Sequence, residues 1–98
     1  MTINKNLNGN QLTIALEGRL DTTTAPELEA ELNQSLGNAE SLTLDFSKLD
    51  YISSAGLRVL LSAHKAMSPK GGLKVTNVNE IVREVFEVTG FSDILTIE

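Results

Sequence analysis

The sequence predicts a mixed α/β domain in which a four- to five-stranded sheet carries helices mainly on one face. Two patterns lead to this class. Several short segments alternate apolar and polar residues, as half-buried strands do, and the segments between them repeat apolar residues every three to four positions, as amphipathic helices do. The resulting order is ββαβαβαβ. Strands joined through helices run parallel and a hairpin is antiparallel, so the sheet should be mixed.

The first two strands form a predicted hairpin. Leu12, Ile14 and Leu16 alternate with polar residues, and the turn Asn8-Gly9-Asn10 separates them from Thr2–Leu7. The later elements are a helix with a capping box at Thr24 and a C-cap at Gly37, a strand over Ser41–Phe46, a helix from Ser53 or Ser54 to Pro69, a strand over Leu73–Val78, a helix capped by Asn79 and closed by Gly90, and a strand over Ile94–Ile97. Polar residues at alternate strand positions indicate that helices cover mainly one face of the sheet.

Composition narrows the possible functions. Thirteen acidic and eight basic residues give a net charge of −5, and the basic residues are scattered singly, which disfavours nucleic acids and anionic membranes as direct partners. There is no cysteine, so no disulfide or thiolate metal site is expected. The N-terminus lacks the apolar region of a signal peptide, and no apolar run reaches the roughly 18–20 residues of a membrane span. We therefore expect one cytoplasmic domain over residues 1–98, without membrane insertion.

We expect no catalytic residue, metal site, cofactor or small-molecule substrate. Neither common glycine-rich phosphate pattern, G-x-x-x-x-G-K or G-x-G-x-x-G, occurs. His64 is the only histidine and has no cysteine with which to bind a metal. It cannot serve Ser54 as a base, because ten residues of helix separate the two by about 15 Å, whereas a general base must come within about 3 Å.

The segment Asp45–Leu57 is the candidate functional region. It leads from a strand through a predicted short loop to a helix start, where Ser53 or Ser54 is a natural N-cap. Gly56 in the first turn costs about 1 kcal/mol relative to alanine, which indicates that something approaches the backbone closely. The predicted core stripe of this helix is Leu57, Leu60, Leu61, His64 and Met67, and the opposite stripe is Ala55, Val59, Ser62 and Ala66, flanked by Arg58 and Lys65. That second stripe is weakly apolar, so either it docks another protein or a neighbouring helix covers it.

The pattern D-F-S-x-L-x-Y-I-S-S-A-G-L at residues 45–57 resembles the signature of STAS-domain proteins, in particular stand-alone anti-sigma factor antagonists. Weaker matches occur at Gly18–Asp21 and Val88–Phe91. The resemblance implies a STAS-like fold and phosphorylation of Ser54 by an anti-sigma factor that is also a serine kinase. The unphosphorylated form would bind that kinase and free a sigma factor, the phosphorylated form would not bind, and a phosphatase would reset it. Where the family commonly has aspartate and then serine or threonine around the acceptor, this chain has Ser53 and Ala55.

The residue patterns predict a domain that docks another protein, and the resemblance implies that it is a partner-switching regulator of transcription. The expected partner-binding residues are Asp21, Ser53, Ala55, Gly56, Arg58, Val59 and Ser62. For Asp21, helix capping or turn formation is the alternative role. The alternative for the whole chain is a STAS accessory module of an ABC lipid-transport complex or a signalling scaffold. An enzyme is disfavoured because the usual elements of an active site are missing.

Overall fold

The computed structural model describes residues 1–98 as a five-stranded mixed sheet with three α-helices, which confirms the predicted fold class. The elements are β1 (Thr2–Asn8), β2 (Gln11–Leu20), α1 (Ala25–Ser35), β3 (Ser41–Ile52), α2 (Ser54–Met67), β4 (Leu73–Thr76), α3 (Glu80–Thr89) and β5 (Thr96–Ile97), with 3-10 turns at Leu36–Asn38 and Phe91–Asp93. The strands lie in the sheet in chain order; β1 and β2 are antiparallel, and the other neighbours are parallel. None of the three α-helices combines the length and the hydropathy that a membrane-spanning helix requires.

The two faces of the sheet differ in character. One face packs under the helices in a single cluster of 23 buried apolar residues, in which the rings of Phe46 from β3 and Phe86 from α3 lie 6.4 Å apart. The opposite face carries a polar row across four strands, in which Thr13 pairs with Thr43, Thr43 with Lys74, and Lys74 with Thr96. Helices on one face therefore leave a polar sheet surface, as the alternating strand pattern predicts.

Strand β3 is longer than predicted. It continues through the expected loop to Ile52 and pairs with β2 as far as Leu20, with register shifts on the way. Its buried residues occur at every second position up to Phe46 and then at every third, at Leu49 and Ile52. Irregular pairing shifts the residues that face the core, so the period-two pattern ends before the strand does. The other strand and helix ends differ by a few residues: α2 stops at Met67, β4 stops at Thr76, and β5 begins at Thr96.

Helix α1 begins after Thr24 as predicted, but its predicted side-chain cap and its C-cap are wrong, whereas both caps of α3 are confirmed. The Thr24 side chain makes no cap hydrogen bond, because its hydroxyl donates to the carbonyl of Arg19 at 2.8 Å. Gly37 is not the C-cap of α1, since the helix ends earlier and the chain continues into a 3-10 turn. In α3, by contrast, the Asn79 side chain accepts a hydrogen bond from the amide of Val82 at 2.8 Å, and Gly90 ends the helix with a left-handed φ of 83°.

Candidate partner-docking site

The site lies where β2 and β3 end side by side. Leu20 pairs with Ile52, and the amide of the next residue, Ser53, donates to the carbonyl of Leu20 at 2.9 Å. Asp21 follows Leu20 into the loop before α1, while Ser53 leads directly into α2. Because the two strands are parallel, both residues leave the sheet at the same edge. The pairing thus places Asp21, one of the expected partner-binding residues, beside the start of α2.

The two adjacent serines have different roles. Ser53 is the N-cap of α2: its backbone is extended, its hydroxyl oxygen accepts from the amide of Gly56 at 3.4 Å, and its carbonyl accepts from the amide of Leu57 at 2.9 Å. Ser54 is the first residue of the helix, and its side chain is exposed. The Ser54 hydroxyl takes no part in the cap and lies at the positive end of the helix dipole. It is therefore available to another protein.

Asp21 organises the loop between β2 and α1. Its carboxylate accepts hydrogen bonds from the amides of Thr23 at 3.0 Å and Thr24 at 3.1 Å, and from the Thr24 hydroxyl at 3.2 Å. These bonds, above all the one from the Thr24 amide, lower the pKa of Asp21. Arg19 contributes less, with its Nε 3.9 Å from the carboxylate while its guanidinium lies 4.4 Å from the centroid of the Tyr51 ring. The structure thus gives Asp21 the turn-forming role that was its alternative, at the edge where α2 begins.

Gly56 is required by the core of the chain itself. A Cβ atom at this position would lie 2.7 Å from Cγ of Leu20 and 2.9 Å from Cγ1 of Ile52. The close approach that the sequence indicates is therefore made by two side chains of the neighbouring strand ends. Gly56 is buried, although the sequence predicts it among the partner-binding residues.

The predicted outer stripe of α2 is wrong at Val59. This side chain is only 6% exposed, because α1 packs alongside and Val59 shares a small cavity with Leu32 and Leu36. The core face is correspondingly rotated, and Leu61 and His64, which were predicted to face the core, are only half-buried. The alternative interpretation, that a neighbouring helix covers this stripe, holds for Val59. Ala55 is half-buried, and Ser62 and Ala66 are exposed.

Four of the expected partner-binding residues line a groove between the first turns of α1 and α2. Its volume is about 260 Å³, and it is lined by Thr22, Ala25, Pro26, Glu29, Ala55, Arg58, Val59 and Ser62. The structure thus joins Ala55, Arg58, Val59 and Ser62 in one groove. Thr22 and Glu29 were missed because they lie on another element, and no local pattern shows which helix packs beside α2. No cluster of three or more His, Cys, Asp or Glu side chains could hold a metal ion.

The sequence matches a protein-family model described as "Mlab, STAS domain" over residues 3–96. It is 42% identical over 88 residues to BtrV of Bordetella bronchiseptica, a candidate anti-sigma factor antagonist, covering 88% of this chain and 76% of that protein. It is 30% identical over 91 residues to the anti-sigma-B factor antagonist of Bacillus subtilis, covering 92% of this chain and 84% of that protein.

Solved structures share the fold. An anti-sigma factor antagonist from Mycobacterium paratuberculosis superposes with a TM-score of 0.89 at 21% identity, over 98% of this chain and 83% of that one. The Bacillus cell fate determinant SpoIIAA, in its phosphorylated form, superposes with a TM-score of 0.76 at 18% identity, over 99% of this chain and 91% of that one. Both likenesses extend over almost the whole chain, so they include the sheet edge at which α2 begins.

Proposed function

The chain belongs to the STAS-domain family, and from this premise we propose that it is an anti-sigma factor antagonist whose binding to its partner is prevented by phosphorylation of Ser54. The names of two sequence relatives support the regulatory class. The observation that carries the proposal is that the two serines have different positions: Ser53 caps α2, whereas Ser54 is exposed in the first turn of the helix. A kinase can modify such a hydroxyl without dismantling the cap.

The proposed docking surface consists of Asp21, Ser53, Ser54 and the groove between α1 and α2. Its exposed or half-buried groove residues from α2 are Ala55, Arg58 and Ser62. The buried Val59 forms the base of the groove, and Gly56 lets α2 pack closely on Leu20 and Ile52. The surface combines a small apolar floor with isolated polar groups. A partner helix or loop can pack against Ala55 and bond to the rim, as in other helix-and-groove complexes.

Phosphorylation acts on the interface and not on the fold. A phosphoserine carries about −1.5 to −2 charges at pH 7, and at a helix N-terminus this charge is favourable by roughly 0.3–1 kcal/mol. The same group in a protein interface must lose its hydration and faces any acidic group of the partner. The ionised Asp21 already contributes negative charge at this edge, which increases the repulsion.

The proposed partner is a cytoplasmic anti-sigma factor with serine kinase activity, and a phosphatase returns Ser54 to the binding form. The regulated process is then transcription by the released sigma factor. The chain itself is proposed to have no catalytic function and to act as one domain over residues 1–98, close to the 3–96 that match the family model.

Affinity capture followed by phosphate mapping tests this proposal. The tagged chain should retain an ATPase-type serine kinase from the lysate of its own cell, and the purified kinase with ATP should add one phosphate, which mass spectrometry should map to Ser54. Ser54→Ala should abolish the modification, whereas the matched control Ser53→Ala should preserve it. Phosphate on Ser53 or Thr22 would contradict the site. Capture of an ABC transporter subunit without any kinase would favour the accessory-module alternative.

A further inference from the structure

Arg58 lies one helical turn after Ser54 on the exposed side of α2. Side chains four residues apart in a helix are neighbours, and a negative group followed by a positive one is the favourable order. Helix α2 contains no acidic residue, so Arg58 has no opposite charge on its own helix. It makes no ion pair elsewhere either. The ion pairs of the structure join Lys5 to Glu31, Arg19 to Asp21 and Lys74 to Glu98.

The other cations near the site are engaged or distant. Arg19 interacts with the carboxylate of Asp21 and the ring of Tyr51. The next lysine or arginine along α2 is Lys65. Eleven residues of helix separate it from Ser54, which corresponds to about 16 Å along the axis. Across the groove from Arg58 the only charged residue is Glu29, which does not come within ion-pair distance of it. Arg58 is therefore an unpaired guanidinium within one turn of the Ser54 hydroxyl.

We infer that Arg58 is the internal partner of a phosphate on Ser54, so that modification also withdraws this cation from the docking surface. The inference rests on the proposed function for the placement of the phosphate. A guanidinium binds phosphate oxygens through charge-assisted and often bidentate hydrogen bonds. In the unmodified chain Arg58 is free to bind an acidic group of the partner. In the modified chain the phosphate occupies it, and the partner meets an added negative charge and a lost positive one.

The pair can be tested without a kinase by incorporating phosphoserine at position 54 during translation. The readout is the second ionisation of the phosphate, followed by phosphorus NMR across a pH titration. Because a nearby cation stabilises the dianion, Arg58→Gln should raise this pKa by at least about 0.2 units, the size expected of a neighbouring helix pair. Arg58→Lys should recover part of the difference. The matched control Lys65→Gln removes the same charge from the same helix and should leave the phosphate pKa unchanged.

The outcomes separate a pair from a general effect of net charge. An unchanged phosphate pKa in folded Arg58→Gln protein would overturn the inference, and so would equal shifts in Arg58→Gln and Lys65→Gln. Melting curves of the two variants with unmodified serine should match that of the parent, because both side chains are exposed. If a kinase assay finds no modification of Ser54 but the encoded phosphate still responds to Arg58 alone, the proposed function fails and the pair is retained.

Discussion

Helices α2 and α3 both follow a parallel strand, yet their N-termini are built differently. In α3, Asn79 accepts from the amide of Val82 at 2.8 Å, its amide group donates to the carbonyl of Leu49 at 2.8 Å, and Glu80 adds a negative charge in the first turn. In α2, the Ser53 cap is longer, at 3.4 Å, and the first turn has no acidic residue. Helix α3 thus starts with its dipole compensated and its cap fixed to the sheet.

The difference bears on the proposed function as well as on stability. The positive end of a helix favours a negative group within its first turn. Helix α1 has Glu27 there and α3 has Glu80, whereas α2 has the exposed Ser54. A phosphate on Ser54 would supply the charge that the other two helices already carry. In the proposed function, the same uncompensated N-terminus binds the partner while the serine is unmodified.

The largest expected effect concerns the faces of these helices, where Val59 of α2 and Val88 of α3 form a matched pair. Val59 is 6% exposed and Val88 is 81% exposed. Val59→Glu should therefore lower the free energy of unfolding by about 3 kcal/mol or more, because it buries an unpaired carboxylate between α1 and α2. Val88→Glu should change it by less than about 0.5 kcal/mol. Urea denaturation measures both. Equal, small effects would contradict the packing of α1 against α2.

The second prediction compares the two caps. Asn79→Ala removes a short cap and a link to β3, so it should cost about 1–2 kcal/mol of unfolding free energy, within the upper range for N-caps. Ser53→Ala removes only the longer bond to Gly56 and should cost about 0.5–1 kcal/mol. Thermal and urea unfolding of both variants should give this order. The reverse order would show that α2 depends more on its cap than its geometry indicates.

The third prediction tests the charge at Ser54. Ser54→Asp should reduce affinity for the partner at least tenfold, or about 1.4 kcal/mol, while leaving the fold intact or slightly more stable. The isosteric neutral control Ser54→Asn should bind with nearly the parent affinity. Ser54→Ala should also bind, resist phosphorylation and leave stability within about 0.5 kcal/mol, since Ser53 provides the cap. Equal affinities of the Asp and Asn variants, measured by calorimetry, would show that charge at this position does not control binding.

The contrast between α2 and α3 also shows what the sequence could predict. Asn79 and Gly90 have one strong local preference each, so the ends of α3 follow from sequence alone. Thr24 has the same preference but is held by Arg19 and Asp21, residues of the preceding strand and loop. A capping pattern cannot reveal a competing acceptor on another element. The choice between Ser53 and Ser54 likewise required the position of Ile52 in the sheet, since the strand end decides which serine caps the helix.

The site follows the same rule. The segment from β3 into α2 could be selected as a candidate site from sequence because its residues are contiguous. The exposure of its side chains could not be predicted in this way, because Val59 becomes buried only through α1. Gly56 shows the intermediate case, in which the sequence indicates a close approach but cannot identify Leu20 and Ile52 as the groups that make it. Long-range packing, and not local preference, separates the residues that can contact a partner from those that support them.

The smallest expected effect is the pH dependence that Asp21 contributes to stability. Hydrogen bonds from the Thr24 and Thr23 amides hold the pKa of this carboxylate below its ordinary value of about 3.9 in the folded chain. A lowered folded-state pKa means that the unfolded chain binds the proton more readily. The contribution of Asp21 is therefore fully present above about pH 4 and is lost as the pH falls through the folded-state pKa.

Asp21→Asn keeps a side-chain oxygen that can accept from the same amides but does not titrate. Urea denaturation between pH 6 and pH 3 should show the parent losing stability relative to Asp21→Asn only below about pH 4, and by a small amount because solvent screens a partly exposed carboxylate. A constant difference over the whole range would mean that the loop does not distinguish the two protonation states, and that Asp21 brings no fixed negative charge to the edge where Ser54 begins α2.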